Sequence, residues 1–162
     1  MDKGKRMKTN NMSETIGIDL GNTIVEKLEG GRQAFPDALR IIARLVSERF
    51  GKNSYIVSKV TPEQKIRAQK WLSESGFHLL TGIPENNVEF CAERHEKAGI
   101  CRMLGITHFI DDRPSVLVHM HDVPHRFLFQ GNPADTEELR PHLGNIIEVN
   151  SWIEIESYLL PK

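Results

Sequence analysis

The chain carries a carboxylate, Asp19, directly after the apolar residues Ile-Gly-Ile at positions 16–18. A carboxylate next to a buried strand is costly unless it has a partner or a use, because an unpaired buried charge is strongly disfavoured. The residues that follow it, Gly21, Asn22 and Thr23, favour a tight turn. Taken alone, the segment fits either an ordinary strand-to-loop turn or a carboxylate placed for catalysis.

Two further carboxylates, Asp111 and Asp112, follow the apolar segment 106–110. Adjacent carboxylates repel each other, and a structural need for both is hard to find. One of them could instead cap the helix that follows. Because carboxylate oxygens are ligands that Mg²⁺ prefers, the pair is the strongest single indication of a functional site.

A hydroxyl and an ammonium complete the set of reactive side chains. Ser58 closes the apolar segment 55–57, and Lys97 lies near the start of a helical pattern. Each has a simpler interpretation, since Ser58 suits a helix cap or loop and a helical lysine is usually solvated. Lys65 competes for the role of Lys97, but it lies in the middle of its predicted helix.

Strand-like and helical segments alternate along the chain and predict where these side chains lie. Strands are expected at 16–18, 55–58, 87–91, 106–110, 127–129 and 146–149, and helices at 37–50, 61–73, 94–104, 114–121 and 152–160, with 25–34 as a loop or small hairpin. The pattern predicts an α/β, Rossmann-like three-layer sandwich: a mainly parallel sheet with helices on both faces. Ligands bind at the carboxyl ends of such strands, where Asp19, Ser58 and Asp111 are predicted to lie.

The four segments, in this order, resemble the four motifs of the haloacid dehalogenase (HAD) superfamily. The segment Asp-Leu-Gly-Asn-Thr at 19–23 resembles the first motif and Phe-Ile-Asp-Asp-Arg-Pro at 109–114 resembles the fourth, with Ser58 and Lys97 at the second and third. The resemblance covers residues 16 to about 149 and implies a HAD-like fold. The intervals between the motifs leave no room for a sizeable cap domain.

The resemblance implies a Mg²⁺-dependent phosphatase that acts on a phosphate ester through an aspartyl-phosphate. Asp19 would be the nucleophile, Ser58 and the N–H of Lys59 would hold phosphoryl oxygens, and Lys97 would neutralise their charge. The implied metal ligands are Asp19, the Gly21 carbonyl, Asp111 and Asp112. Asn22 and Arg113 are the further substrate-binding residues.

Gly21 departs from the pattern, because phosphatases of the family carry a second Asp at this position. That Asp protonates the leaving oxygen, and such acid–base help contributes about 10²–10⁴-fold. Three outcomes remain open: activity limited to good leaving groups, a proton supplied by Glu26 or a histidine, or an impaired module that binds a phosphorylated ligand or a protein partner without turnover. An open site also suits a second subunit as a lid, hence a homo-oligomer.

The charge balance predicts the partners. With a formal net charge of -1 and a pI of about 6.7, the 162-residue chain has no overall field that would recruit nucleic acid or a membrane. A phosphorylated small molecule is therefore the expected ligand. Asp-Asp-Arg-Pro also resembles the fourth motif of the polynucleotide kinase 3′-phosphatase domain, which keeps a nucleic-acid end as the lesser alternative. The basic residues that could serve it, otherwise a solvated helix face, are Arg40, Arg44, Arg49 and Lys52.

Composition predicts a single domain over residues 15–162 after a disordered tail of residues 1–14. The tail lacks the apolar centre of a secretory signal, and no segment is long enough to span a membrane. Cys91 and Cys101 do not form a disulfide framework, so a cytoplasmic setting is expected. Neither these cysteines with His95 nor the histidines at 119, 121 and 125 are expected to bind a metal.

Overall fold

A computed structural model describes residues 13–28 and 31–162. Its strands are β1 (Ile16–Ile18), β2 (Val25–Leu28), β3 (Gly31–Ala34), β4 (Ser54–Lys59), β5 (Val88–Cys91), β6 (His108–Asp111), β7 (His125–Phe129) and β8 (Ile147–Val149). Its α-helices are α1 (Ala38–Leu45), α2 (Pro62–Glu74), α3 (Phe77–Thr81), α4 (Glu96–Leu104), α5 (Pro114–Leu117), α6 (Pro133–Leu139) and α7 (Trp152–Leu159). A π-helical turn, Val46–Phe50, extends α1, and a 3₁₀ turn, Arg140–His142, follows α6.

Six strands form a parallel sheet in the order β5-β4-β1-β6-β7-β8. The central strand β1 pairs with β4 on one side and β6 on the other, so that Ile18 lies between Ile56 and Ile110. The chain builds the sheet from β1 towards β5 and then returns to add β6, β7 and β8 on the opposite side. The strand order therefore reverses beside β1, and ligand sites in open α/β sheets lie at such a reversal.

Helices cover both faces of the sheet, which confirms the predicted three-layer sandwich. Side chains that alternate along each strand enter two separate apolar cores. Ile16 and Ile18 of β1 pack in the core with residues of α1, α2, α3 and α7. The other core contains Phe109 and residues of α4 and α5. Gly17 faces this second core, where a Cβ atom would lie 2.8 Å from the Phe109 ring, so only glycine fits without a shift.

Strong local signals predict the elements well, and weak ones do not. Thr61 and Gln64 form a capping box at the start of α2, within the predicted range 61–73. Helix α1 begins at Ala38, one residue after the predicted start, because its N-cap Asp37 has a left-handed backbone with φ of 64°. The hairpin expected at 25–34 is present as β2 and β3, although its turn at 29–30 lies outside the described residues.

Helix α5 ends at Leu117, four residues before the predicted boundary at His121. Beyond it the N–H groups of His119 and Met120 bond three residues back, which tightens the chain into turns. The side chains of Met120 and Val123 are buried in this turn region. The short helices α3 and α6 were not predicted.

The start of the described chain is held against the fold. Glu14, which the sequence placed in a disordered tail, accepts hydrogen bonds from Arg49 Nε at 3.0 Å and a terminal guanidinium nitrogen at 2.6 Å. The rest of the predicted tail, residues 1–12, lies outside the described residues. Within 13–28 and 31–162, no helix has the length and apolar character needed to cross a membrane.

Candidate active site

The pairing of β1 with β6 brings two carboxylates together at the end of the sheet. Asp19 directly follows β1, and its N–H donates to the carbonyl oxygen of Ile110 at 2.9 Å. Asp111 is the last residue of β6. Asp19 is 6% exposed and Asp111 is fully buried. The two side chains are therefore almost completely shielded from water.

Lys97, the second residue of α4, lies between these carboxylates. Its Nζ donates to Asp19 Oδ1 at 3.0 Å and to Asp111 Oδ2 at 2.8 Å. The residue is only 2% exposed, so it is not a solvated helix residue. Asp19 and Asp111 together raise the pKa of the Lys97 ammonium, although burial alone would lower it. The lysine is therefore held in its charged form.

Asp112 adds a third carboxylate to the cluster. One oxygen of each of Asp19, Asp111 and Asp112 lies within 4.8 Å of the others. Both oxygens of Asp111 have protein partners, because its Oδ1 accepts from the N–H of Arg113 at 2.9 Å. Asp19 and Asp112 line an open cleft, whereas Asp111 lies beneath it. Asp111 thus positions Lys97, while the other two carboxylates face an incoming ligand.

The cluster carries more negative charge than Lys97 alone neutralises. Burial raises the pKa of Asp19 to about 6, with a further contribution from Asp112 and opposition from Lys97. Burial and the neighbouring Asp19 raise the pKa of Asp111 to about 6, and burial and Asp111 raise that of Asp112. Three carboxylates against one ammonium leave two uncompensated negative charges when all are ionised. A divalent cation that prefers oxygen ligands, such as Mg²⁺, fits this donor set.

The loop after Asp19 is anchored at Thr23, which is fully buried. The Thr23 hydroxyl donates to Asp19 Oδ2 at 3.3 Å, and its carbonyl accepts from the indole Nε1 of Trp152 at 2.9 Å. Trp152 is the first residue of α7. Asn22 takes a left-handed backbone with φ of 59°, and its N–H donates to the carbonyl of Val25. The orientation of Asp19 therefore depends on the last helix of the fold.

The cleft gathers every residue predicted for the site except Asp111. Its lining includes Asp19, Gly21, Asn22, Ser58, Lys59, Lys97, Asp112 and Arg113. Four more polar residues that the sequence did not single out also line it: Lys27, Arg32, Gln64 and Arg94. They belong to none of the four motifs. One signal was present, because hairpin pairing over 25–34 places Lys27 opposite Arg32, and like charges in that position are unfavourable.

The proposed substitutes for a second Asp do not line this cleft. Side chains alternate along β2, so Val25 and Lys27 face the cleft and Glu26 does not. Among the described residues no histidine lines it; His95 and His119 lie in a neighbouring depression. Gly21 itself leaves space, because a Cβ atom there would have no heavy atom within 4 Å.

Other candidate groups lie elsewhere. Cys91 and Cys101 are buried free thiols. The histidines at 119, 121 and 125 are exposed. Among residues 13–28 and 31–162, the three carboxylates are the one group of His, Cys, Asp or Glu side chains placed to hold a metal ion. Lys65, the competitor of Lys97, lies over the Phe90 ring, 5.7 Å from its centroid.

Three of the four residues considered as a nucleic-acid stripe are occupied by carboxylates. Arg40 and Arg44 both bond Glu156, and Arg49 bonds Glu14. The charge of these three residues is therefore partly offset within the protein.

Comparison with protein-family models gives no match, and comparison with curated proteins gives none either.

Proposed function

We propose that the chain is a HAD-type phosphohydrolase that requires Mg²⁺ and acts through Asp19 on a phosphorylated small molecule. The observation that carries the proposal is the position of Lys97 Nζ between Asp19 Oδ1 and Asp111 Oδ2, with Asp112 alongside. An ammonium held between two buried carboxylates at a strand-order reversal is more than the fold needs. Its desolvation is costly, and an apolar side chain of similar volume would serve packing as well.

In the proposed reaction an oxygen of the Asp19 carboxylate attacks phosphorus, and the bond from phosphorus to the ester oxygen breaks. Water then hydrolyses the aspartyl-phosphate. Lys97 offsets the negative charge of the nucleophile, which would otherwise repel a phosphate. Ser58 and Lys59, which line the cleft at the end of β4, would hold phosphoryl oxygens. A bound Mg²⁺ would supply positive charge between the carboxylates and the phosphoryl group.

Gly21 supports a second candidate function, a module that binds a phosphorylated ligand without turning it over. Glycine cannot protonate a leaving oxygen, and the side chains considered as substitutes do not line the cleft. The two functions differ in whether Asp19 forms a covalent intermediate. They agree in the ligand class and in the need for the metal.

The test compares three forms of the full chain with p-nitrophenyl phosphate and Mg²⁺: wild type, Asp19→Asn and Gly21→Asp. We expect turnover by the wild type and a loss of at least about 10³-fold in Asp19→Asn, since the nucleophile is removed without a change of shape. An inactive wild type that Gly21→Asp activates would instead support the binding module. If none of the three forms hydrolyses p-nitrophenyl phosphate and calorimetry shows no Mg²⁺ binding, the site assignment is overturned.

A further inference from the structure

We propose that the substrate is a phosphoric anhydride, so that the group leaving from phosphorus is itself a phosphate anion. The proposal rests on the proposed function of Asp19 and adds the class of substrate. Three features of the cleft, as its described residues form it, carry the proposal: unpaired cations around the nucleophile, no side chain suited to protonate a leaving oxygen, and no aromatic ring to hold an organic group.

Five cationic side chains surround the nucleophile, in addition to Lys97. They come from separate parts of the fold: Lys27, Arg32, Lys59, Arg94 and Arg113. None of the five forms an ion pair with a carboxylate of the described residues, whereas Arg40, Arg44, Arg102 and Arg140, elsewhere on the surface, each do. A nearly neutral protein thus concentrates unpaired positive charge in one cleft, which focuses its field on an anionic ligand.

In the β2–β3 hairpin, two of these positive charges repel each other when no ligand is bound. Lys27 of β2 and Arg32 of β3 are directly opposite in the antiparallel register, and both line the cleft. Like charges in such a pair destabilise a hairpin. An anion between them would remove the repulsion. The pair therefore indicates a ligand with negative charge beyond the phosphoryl group that Asp19 attacks.

The described lining offers no suitable acid for the leaving oxygen. Its carboxyl groups are Asp19 and Asp112, which the proposed function uses as nucleophile and metal ligand. Lysine and arginine side chains hold their protons tightly at neutral pH, so they stabilise a leaving anion better than they protonate it. An alkoxide is a poor leaving group under these conditions. A phosphate leaves as a stable anion and needs no proton.

The described lining also contains no aromatic side chain. Sites that hold nucleobases commonly stack them on aromatic rings, which this cleft does not provide. The part of the substrate that is recognised is therefore the phosphate chain. Inorganic polyphosphate and the polyphosphate chain of a nucleotide present this same chemistry.

In the first step, the transfer of the terminal phosphoryl group to Asp19, no proton has to be supplied to the leaving group. A bond forms between an Asp19 oxygen and the terminal phosphorus, and the bond from that phosphorus to the bridging oxygen breaks. The bridging oxygen keeps the electron pair and leaves as part of a phosphate anion, which Arg94 and Arg113 are placed to bind. Water then attacks the aspartyl-phosphate, releasing orthophosphate and the Asp19 carboxylate, and its proton passes to the released phosphate or to solvent.

The experiment measures kcat/KM of the full chain with Mg²⁺ for tripolyphosphate, p-nitrophenyl phosphate and glycerol 2-phosphate. We expect tripolyphosphate to exceed glycerol 2-phosphate by at least about 10²-fold, the usual contribution of a general acid. Gly21→Asp should narrow this ratio by raising the rate with glycerol 2-phosphate. ATP as a fourth substrate distinguishes inorganic polyphosphate from a nucleotide. A kcat/KM close to that for tripolyphosphate indicates recognition of the phosphate chain alone. A large preference for ATP indicates a nucleotide substrate.

The variant Arg94→Gln tests whether the cations of the cleft bind the substrate, and Arg102→Gln is the matched control. Arg102 lies on α4, outside the cleft, in an exposed pair with Asp122. We expect Arg94→Gln to lower kcat/KM for tripolyphosphate about tenfold, and more than for p-nitrophenyl phosphate, while Arg102→Gln changes neither. Equal rates for tripolyphosphate and glycerol 2-phosphate in the wild type would overturn the anhydride proposal alone. No turnover of p-nitrophenyl phosphate would overturn the proposed function and this proposal with it.

Discussion

Lys97 determines whether the carboxylates of the site can coexist. Among residues 13–28 and 31–162 it is the one cation that bonds Asp19 and Asp111, and both carboxylates already have raised pKa values because of burial. Removing the ammonium would leave two buried carboxylates facing each other without a partner. Breaking a buried pair in this way is far more damaging than never forming it.

We therefore expect Lys97→Met to lower the free energy of unfolding by about 3 kcal/mol at pH 8. The loss should be smaller at pH 5, because the carboxylates with a pKa of about 6 then take up protons. Urea unfolding at both pH values measures it. The double variant Lys97→Met/Asp111→Asn serves as control and should recover part of the stability. A single variant as stable as the wild type at pH 8 would contradict the ionised pairing.

At the scale of elements, helix α7 holds the loop that follows strand β1. The indole of Trp152 in α7 bonds the carbonyl of Thr23, whose hydroxyl bonds the proposed nucleophile Asp19. The ring is also almost fully buried in the core. Its packing and its hydrogen bond can be separated by a substitution that keeps an aromatic ring.

Trp152→Phe should keep most of the packing and lose the bond to Thr23. We expect a cost of about 1–3 kcal/mol in the free energy of unfolding, because the buried carbonyl loses its partner. The turnover of p-nitrophenyl phosphate should fall, since the Asp19 loop becomes less ordered. Tyr158→Phe, on the exposed side of the same helix, is the control for both measurements. Unchanged turnover in Trp152→Phe would show that α7 does not order the loop.

How much of this the sequence predicts depends on the element. The fold class and the ends of α2 and α4 follow from strong local signals, the capping box at Thr61 and the C-terminal Gly105. The helices α3 and α6 span five and seven residues, too few to show a helical period. The motif residues of the cleft could be predicted because they follow strands. Arg94 could not, since it lies in a loop and only tertiary packing brings it to the cleft.

At the scale of the whole molecule, pH and metal binding are linked. The folded-state pKa values of about 6 for Asp19 and Asp111 are above the unfolded value of 3.8, so the folded protein binds more protons between these values. Their contribution to the stability of the metal-free protein is present below pH 4 and is lost as the pH rises through 6. The proposed Mg²⁺ would bind the deprotonated carboxylates and would compete with those protons.

The increase in melting temperature caused by Mg²⁺ should therefore grow with pH from 5 to 7. We expect the affinity for Mg²⁺, measured by calorimetry, to rise at least about tenfold over this range. His108, whose pKa burial lowers to about 4, lies at the opposite end of β6, so its contribution cancels between samples with and without Mg²⁺. Asp19→Asn should flatten the pH dependence. An affinity that does not change with pH would contradict raised pKa values at the metal site.

The bond between Trp152 and Thr23 joins residues 129 positions apart. Every residue that lines the cleft precedes Trp152 in the chain. A ribosome that has made the chain through β8 has therefore produced all of the reactive side chains but not the indole that orders their loop. If Asp19 acts as proposed, full activity is expected only after α7 has emerged and docked.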